Sequence, residues 1–522
     1  MSEIYDVAVI GSGFAGSLLA MIARRLGRSV LLLERGKHPR FAIGESSTPL
    51  ANLLLEDLCI RYQLTSLTAF CKWGTWQRTY PRAGCGLKRG FTFYHHGLGQ
   101  RPFPVTDRER QLLVAASPHD EISDTHWYRP DVDLLFVQAA QNAGATYLDE
   151  VKLEGATEHD DFVQMEGTRH GERAAFSARF VVDATGPRGF LHKVLALPEI
   201  PLRDFPETAA LYTHFRNVRR VDALQVGATP PHPVDDAALH HVFEGGWMWV
   251  LRFNNGITSA GVAVIRPLAD RLRLHEGAPA WQRLLDLLPA VREQFQNATE
   301  ERPFTYAPQL SFRSGAITGK RWALLPSAAG FVDPLMSTGF PLVLFGVGRL
   351  AEILERDWET DRFQTALATY AKQTDDDLLA TARLIGSLYA SLGNFPLFVS
   401  LSLLYFAAAS YAEAARRLGR PHLAGSFLLH DNPGFQVTEL MERARSVRGS
   451  EETAQLNRDI LLAIEPFNIA GLGDPDRRNW YAVEAEDFLS SAHKVGADRD
   501  EVSRLLDQCG VWDRPGNGRL SR

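Results

Sequence analysis

Residues 5–34 read YDVAVIGSGFAGSLLAMIARRLGRSVLLLE. The first six form an apolar strand broken only by Asp6, and the turn that follows sets Gly11, Gly13 and Gly16 in the spacing G-x-G-x-x-G. A helical segment over 18–26 and a second strand over 29–33 complete a strand–turn–helix–strand unit closed by Glu34. Each piece has a task in holding a dinucleotide. Gly11 permits the tight turn, Gly13 lets the backbone reach a pyrophosphate, and Gly16 lets helix and strand pack closely. Phe14 and Ala15 open the helix, whose N-terminus favours phosphate charge. Glu34 lies 18 residues past Gly16 and can accept from ribose hydroxyls; its acidity favours FAD or NAD over NADP.

The second anchor is 322–354, WALLPSAAGFVDPLMSTGFPLVLFGVGRLAEIL. It reads as a buried strand, a small-residue turn around Ser327, an Asp333-Pro334 break and a helix that Ser337 or Thr338 is suited to cap. The start of that helix has unpaired N–H groups, and Gly339, followed by Phe340, permits close approach of an anion or an electron-rich ring.

A chain of 522 residues exceeds one ordinary core, so two or three domains are expected. Hydrophobic content of 45% and charged content of 23% fit a globular protein, and a net charge of −6 gives no reason to expect nucleic acid as a partner. Cys59, Cys71, Cys85 and Cys509 have neither metal-ligand nor disulfide-framework spacing, and no metal is expected. No secretory signal is read at 4–10, and the apolar run 395–411 is shorter than the roughly 20 residues of a membrane span. It is taken as a buried helix, membrane contact is not expected, and a cytoplasmic protein is.

Between the anchors, Arg35 and Arg40 follow Glu34, and Arg40 could pair with a pyrophosphate. Gly44-Glu45-Ser46-Ser47 leads to Pro49 and a helix over 50–62. Residues 88–94, KRGFTFY, alternate as one strand with Phe91 and Phe93 on one face. Arg129 precedes a helix over 131–142, a strand containing Val151 is expected over 145–153, and a strand over 178–183 ends at Asp183-Ala-Thr-Gly186, where glycine again suits close approach. A mixed sheet is expected over 190–305, with Trp247 and Trp249 sharing a face and read as an aromatic core layer. Beyond 355 the chain reads as almost wholly helical, with interruptions at 422–431 and 471–479 and fraying over about the last ten residues.

The glycine turn at 11–16, the Asp-Ala-Thr-Gly strand end and the Asp333-Pro turn occur in the order of the flavoprotein hydroxylases with a glutathione-reductase-type FAD domain. Within that superfamily the sequence resembles the flavin-dependent halogenases, especially the branch acting on phenol- or pyrrole-like rings and carrier-bound substrates. Gly44-Glu45-Ser46 with Pro49, the strand carrying Lys88, Arg129 with Asp133, and Asp333-Pro-Leu-Met-Ser-Thr338-Gly339 carry the resemblance, which spans about 4–355. It implies an α/β fold with a discontinuous FAD domain (1–70, 106–189, 306–355), an inserted β-sheet domain (71–105, 190–305) and a helical region (356–522) covering the acceptor.

The activity implied is FADH2- and O2-dependent oxidation of halide (chloride or bromide) to hypohalous acid through a flavin C4a-hydroperoxide, with Lys88 catalytic and Thr338 and Gly339 at the halide. FAD contacts are implied for Gly11, Gly13, Phe14, Ala15, Gly16, Glu34, Arg35, Arg40, Glu45, Ser46, Ser47, Arg129, Val151, Asp183, Gly186, Ser327, Asp333 and Phe340. The partners implied are a separate flavin reductase and a small or carrier-tethered aromatic acceptor. The chain departs from the family pattern in having Leu251-Arg252 after the tryptophan pair, Pro326-Ser327 before the alanine turn and Met336 where tryptophan halogenases carry a glutamate. Three alternatives stay open: a flavin monooxygenase, a reductase of isoprenoid double bonds, and a non-catalytic flavoprotein.

Overall fold

The computed structural model describes residues 3–100, 108–224 and 230–512. The expected fraying at the C-terminus falls on 513–522, outside the described residues.

Among the described residues, seven strands form the first sheet, in the order Thr146–Leu148, Val30–Leu33, Ile4–Ile10, Glu172–Asp183, Val163–Arg169, Val151–Glu158, with Trp322–Leu324 also paired to Glu172–Asp183. The strands nearest its centre run parallel and are near-continuous in Val, Leu, Ile and Ala because helices and loops bury both their faces. Register matters most here. Ile10 lies opposite both Leu33 and Asp183, and Asp183 lies opposite Leu324. Four strand ends therefore finish at one level, and the turns at 11–16, 34–36, 184–186 and 326–327 meet along one edge, the place where open α/β sheets bind ligands.

Among the described residues the second sheet has nine strands: Thr299–Glu300, Thr208–Arg216, Thr258–Ile265, Gly246–Arg252, Ala238–Phe243, Gly90–His96, Gln111–Ala115 and Trp480–Tyr481 in order, with Thr305–Ala307 against Thr208–Arg216. Strand alternation divides its two cores. Trp247, Trp249 and Leu251 face the helices Phe363–Ser391 and Phe395–Arg417, while Met248 and Val250 face Ala278–Leu287 and Pro289–Phe295.

Several expectations need correction. Residues 88–94 are not one strand: Cys85–Lys88 pairs with Asp124–Trp127 in a separate two-stranded ribbon, and Gly90–His96 belongs to the nine-stranded sheet. The chain breaks at Arg89, whose N–H donates to the Asp236 carbonyl and whose guanidinium grips the Ser117 and Pro118 carbonyls and Asp120. The strand expected over 145–153 is two, separated by Glu150 at φ 55°. Three helices, Arg266–Leu272, Ala278–Leu287 and Pro289–Phe295, interrupt the mixed-sheet region. Gln111–Ala115 sits in the second sheet, not with the FAD-side strands, and the helical C-terminal part returns Trp480–Tyr481 to that sheet.

The helix Phe395–Arg417 is capped by the Asn394 side chain on the Leu397 N–H and is buried along most of its length. It and Leu335–Arg356 are long and apolar enough to cross a membrane, but 83% and 67% of their apolar windows are packed inside the protein.

Candidate active site

A cavity of about 1030 Å³ opens where the four strand ends meet. Gly11, Gly13, Phe14, Ala15, Gly16, Glu34, Arg35 and Arg40 line one end, and Glu45, Ser46, Arg129, Val151 and Gly186 the middle. Ser327, Asp333, Thr338, Gly339 and Phe340 line the far end.

The glycine cradle has no room for side chains within the fold. A Cβ on Gly16 would lie 2.0 Å from the Gly11 carbonyl oxygen, and one on Gly11, at φ 98°, 2.7 Å from that of Ala184. Gly13 is different: its Cβ position lies 3.3 Å from Arg129 Nη2, between two arginines that face the cavity.

Charge is ordered around that cradle. Arg129 forms a two-point pair with Asp133 (Nε–Oδ1 2.8 Å, Nη2–Oδ2 2.9 Å) and donates from Nη1 to the Ile43 and Gly44 carbonyls. Asp133 also accepts the Phe14 N–H at 3.2 Å, so one buried carboxylate ties the helix start to the arginine. Burial alone would raise the Glu34 carboxyl, but the Arg40 charge and hydrogen bonds from the Gly36 N–H, Arg40 and Ser12 outweigh it and hold it at about 2. Glu34 is therefore an ionised acceptor at neutral pH, as ribose recognition requires. Cradle, arginines, ionised acid and volume fit FAD.

At the far end, Met336 and Ser337 both hold left-handed φ, 65° and 54°, directly before the helix Gly339–Arg356. Neither expected cap forms. Thr338 takes the N-cap position without a side-chain hydrogen bond, and the Ser337 hydroxyl donates to Ser46 Oγ at 3.1 Å instead. Pro341 has no N–H, so Gly339 and Phe340 are left to present theirs at the helix start. Gly339 has open space where a Cβ would be.

The Asp333 carboxyl lines this end but is held by the protein, accepting from Trp247 Nε1 (3.1 Å), Tyr389 OH (2.9 Å) and the Leu335 N–H (3.0 Å). Burial pushes it up to about 7 against those three hydrogen bonds. Phe340 stacks on Phe14 at 4.9 Å and 12°, joining the two ends.

Two expected cofactor contacts are corrected. Ser47 is outside the cavity lining, its hydroxyl donating to the Thr125 carbonyl, because the Ser46 bridge to His126 turns the next side chain away. Asp183 is also behind the wall: it accepts from Thr185 and from the Leu191 N–H, and so shapes the 184–189 turn. Trp247 and Trp249, read as core, line the cavity together with His240. Leu378 and Thr381, from the helical region expected to cover only the acceptor, line it as well. The spacing of Trp247 and Trp249 was a usable signal; Leu378 and Thr381 had none. Arg252 turns away, to Asp235 (2.7 Å) and the Val218 carbonyl (2.8 Å), and leaves Leu251 at the cavity.

Lys88 lines neither this cavity nor any open surface; it is 0% exposed. Its ammonium donates to the Ser47 carbonyl and lies 4.1 Å from the centre of the Phe91 ring. Burial drives the Lys88 amine down, with the Asp124 charge opposing, and burial pushes Asp124 up. A second cavity, of about 260 Å³, lies on the other side of this residue, lined by Thr48, Asn52, Phe91, Asp124, Tyr405 and Phe406 among others. The run Ser46-Ser47-Thr48 crosses from one cavity to the other: Ser46 faces the larger, Ser47 holds Lys88, and Thr48 faces the smaller.

A two-cavity flavoprotein with a lysine in the dividing wall is the class defined by these elements. A family model for tryptophan halogenases matches residues 125–391, and one for NAD(P)-binding Rossmann-like domains matches 9–61. Monodechloroaminopyrrolnitrin halogenase PrnC of Pseudomonas fluorescens is 32% identical over 383 residues, 72% of this chain and 66% of that protein. Tetracycline 7-halogenase of Kitasatospora aureofaciens is 28% identical over 536 aligned positions, covering 96% of this chain and 95% of that one. The crystal structure of halogenase PltM with phloroglucinol and FAD superposes with a TM-score of 0.80 at 24% identity, over 91% of this chain and 99% of that chain, and has the same fold. The chain belongs to the tryptophan halogenase family. It is a flavin-dependent halogenase that uses FAD in its reduced form and halide.

Proposed function

We propose that the protein halogenates a small, electron-rich aromatic ring held in the smaller cavity, and that Lys88 delivers hypohalous acid to it. The observation that carries this reading is the position of Lys88: buried in the wall that Ser46-Ser47-Thr48 crosses, against the Phe91 ring that lines the smaller cavity.

Reduced FAD, when bound, supplies the O2 activation that oxidises halide. Gly11, Gly13, Gly16, Glu34, Arg40 and Arg129 would hold it. Thr338 and Gly339 would hold the halide, where the helix start favours an anion. A protonated Asp333 would leave that end free of a repelling charge. Lys88 then hydrogen-bonds hypohalous acid or takes the halogen as a haloamine with loss of water, and the buried rings of Phe91, Phe93 and His240 keep bulk water from consuming it. Burial favours the neutral amine this requires.

Met336 is buried and outside both cavities, so a free-tryptophan acceptor has no glutamate there. The aminopyrrolnitrin and tetracycline relatives are each named for a small molecule, without a carrier protein. We therefore assign an untethered aromatic acceptor, with a partner flavin reductase as the source of FADH2. Arg252 points away from the cavity, which removes the main motive for reading the protein as a monooxygenase.

The test compares Lys88→Ala and Lys88→Arg with the wild type, supplying reductase, FAD, O2 and bromide. Reoxidation of reduced FAD should persist in both variants while brominated product disappears, since a guanidinium keeps its charge and cannot serve as the amine. Wild-type product yield from Lys88→Ala refutes the assignment.

A further inference from the structure

Asp124 is 5% exposed and sits opposite Lys88 in the ladder between Cys85–Lys88 and Asp124–Trp127. Asn52 Nδ2 donates to its Oδ1 at 2.7 Å. Its Oδ2 is buried and has no hydrogen-bond partner among the described residues. A buried carboxyl oxygen left unpaired costs about 1–3 kcal/mol, so a fold that keeps one has a use for it. Asp124 is part of the lining of the smaller cavity. Another acid of that lining, Glu413, is already held by Arg417 at 2.8 Å. Leu50, Phe91, Tyr405 and Phe406 give this lining an apolar and aromatic stretch, alongside the polar Thr48, Lys72, Glu484 and Asp487.

We infer that Asp124 recognises the acceptor by taking a hydrogen bond at Oδ2 from an O–H or N–H borne on the aromatic ring. This rests on the acceptor-site reading above and deepens it: the acceptor is a phenol, aniline or azole, oriented so that an activated ring carbon faces Lys88. A hydrogen bond to the carboxylate also leaves electron density on the ring heteroatom, which directs the halogen to positions ortho or para to it. Recognition and activation then come from one oxygen atom.

The experiment uses resorcinol and 1,3-dimethoxybenzene, which share a ring but differ in O–H groups. Wild-type protein with FAD bound should bind resorcinol about 10- to 100-fold more tightly, the usual range for a hydrogen bond to a charged group. In Asp124→Asn, Asn52 still donates to the remaining oxygen, so the new amide N–H2 replaces Oδ2 and presents a donor where an acceptor stood. The preference for resorcinol should fall to near unity, and the ratio of kcat/KM for the two rings should fall with it. Equal binding of both rings by the wild type, or an unchanged preference in Asp124→Asn, overturns the inference; the wild-type comparison decides the matter if the variant does not fold. Bromination of monochlorodimedone by the wild type reports oxidant formation independently of this site. If that is intact and neither ring binds, the acceptor assignment of Asp124 is wrong. If no bromide-dependent oxidant forms at all, it is the parent reading that fails.

Discussion

Replacing Asp333 by Asn tests the electrostatics of the halide end of the cavity with little change of shape. The side chain accepts from Trp247 Nε1 and the Leu335 N–H at Oδ1, and from the Tyr389 hydroxyl at Oδ2. An Asn with its oxygen at the first position keeps two of these bonds, and the Tyr389 hydroxyl can rotate to accept from the new N–H2. What changes is the charge. Burial raises the Asp333 carboxyl from an ordinary 3.8 to about 7. The folded state therefore holds the proton more tightly than the unfolded chain, and this contribution is fully present below about pH 4 and lost as pH rises through about 7. At about 1.4 kcal/mol per pKa unit the whole effect is ~4 kcal/mol, of which ~2 kcal/mol develops between about pH 5.5 and 8.5. With an unfolding entropy of about 2.1 cal/mol/K per residue, that corresponds to roughly 2 °C in Tm for a chain of this length. Melting curves of the two proteins at both pH values are the assay. The Asn variant should gain that much on the wild type as pH rises, and wild-type halide affinity should weaken over the same window while the variant's does not. A stability difference independent of pH would refute the reasoning.

Other outcomes follow from particular contacts. Gly16→Ala should lose FAD and destabilise the protein by about 1–3 kcal/mol or more, read by chemical denaturation, because its Cβ would sit 2.0 Å from the Gly11 carbonyl oxygen. Gly13→Val should fold and lose FAD with much less damage, since its side chain meets an arginine tip at 3.3 Å and otherwise enters the cavity; calorimetry with FAD separates the two variants. Arg129→Lys should weaken FAD binding by about 10-fold or more, because an ammonium cannot keep the two-point pair with Asp133 and the two carbonyl contacts together. The purified protein should not consume NADH or NADPH rapidly, and adding a flavin reductase should start turnover.

The glycine turn, Glu34 and the strand–helix–strand unit that joins them were legible in the sequence because all of them lie within about 30 positions. There, spacing alone sets backbone conformation and the alternation or continuity of apolar side chains. A buried helix was legible for the same reason from the apolar run 395–411, although the helix itself extends over Phe395–Arg417 and only its packing inside the protein separates it from a membrane span of that length. What the sequence could not decide was facing. Lys88 and Phe91 looked like neighbours on one strand, yet they belong to different sheets and meet only because the chain breaks at Arg89. Ser46 and Ser47 are adjacent, but pairing with the Asp124–Trp127 strand turns one into the cofactor cavity and the other onto Lys88. Arg252 looked like an intruder in the site until Asp235 drew it to the opposite face of its strand. Leu378 and Thr381 reach the cavity from a helix nearly 200 residues beyond the strand that ends at Asp183. In each case the deciding contact joins segments distant in sequence, and local periodicity carries no information about which of two faces a distant partner will cover.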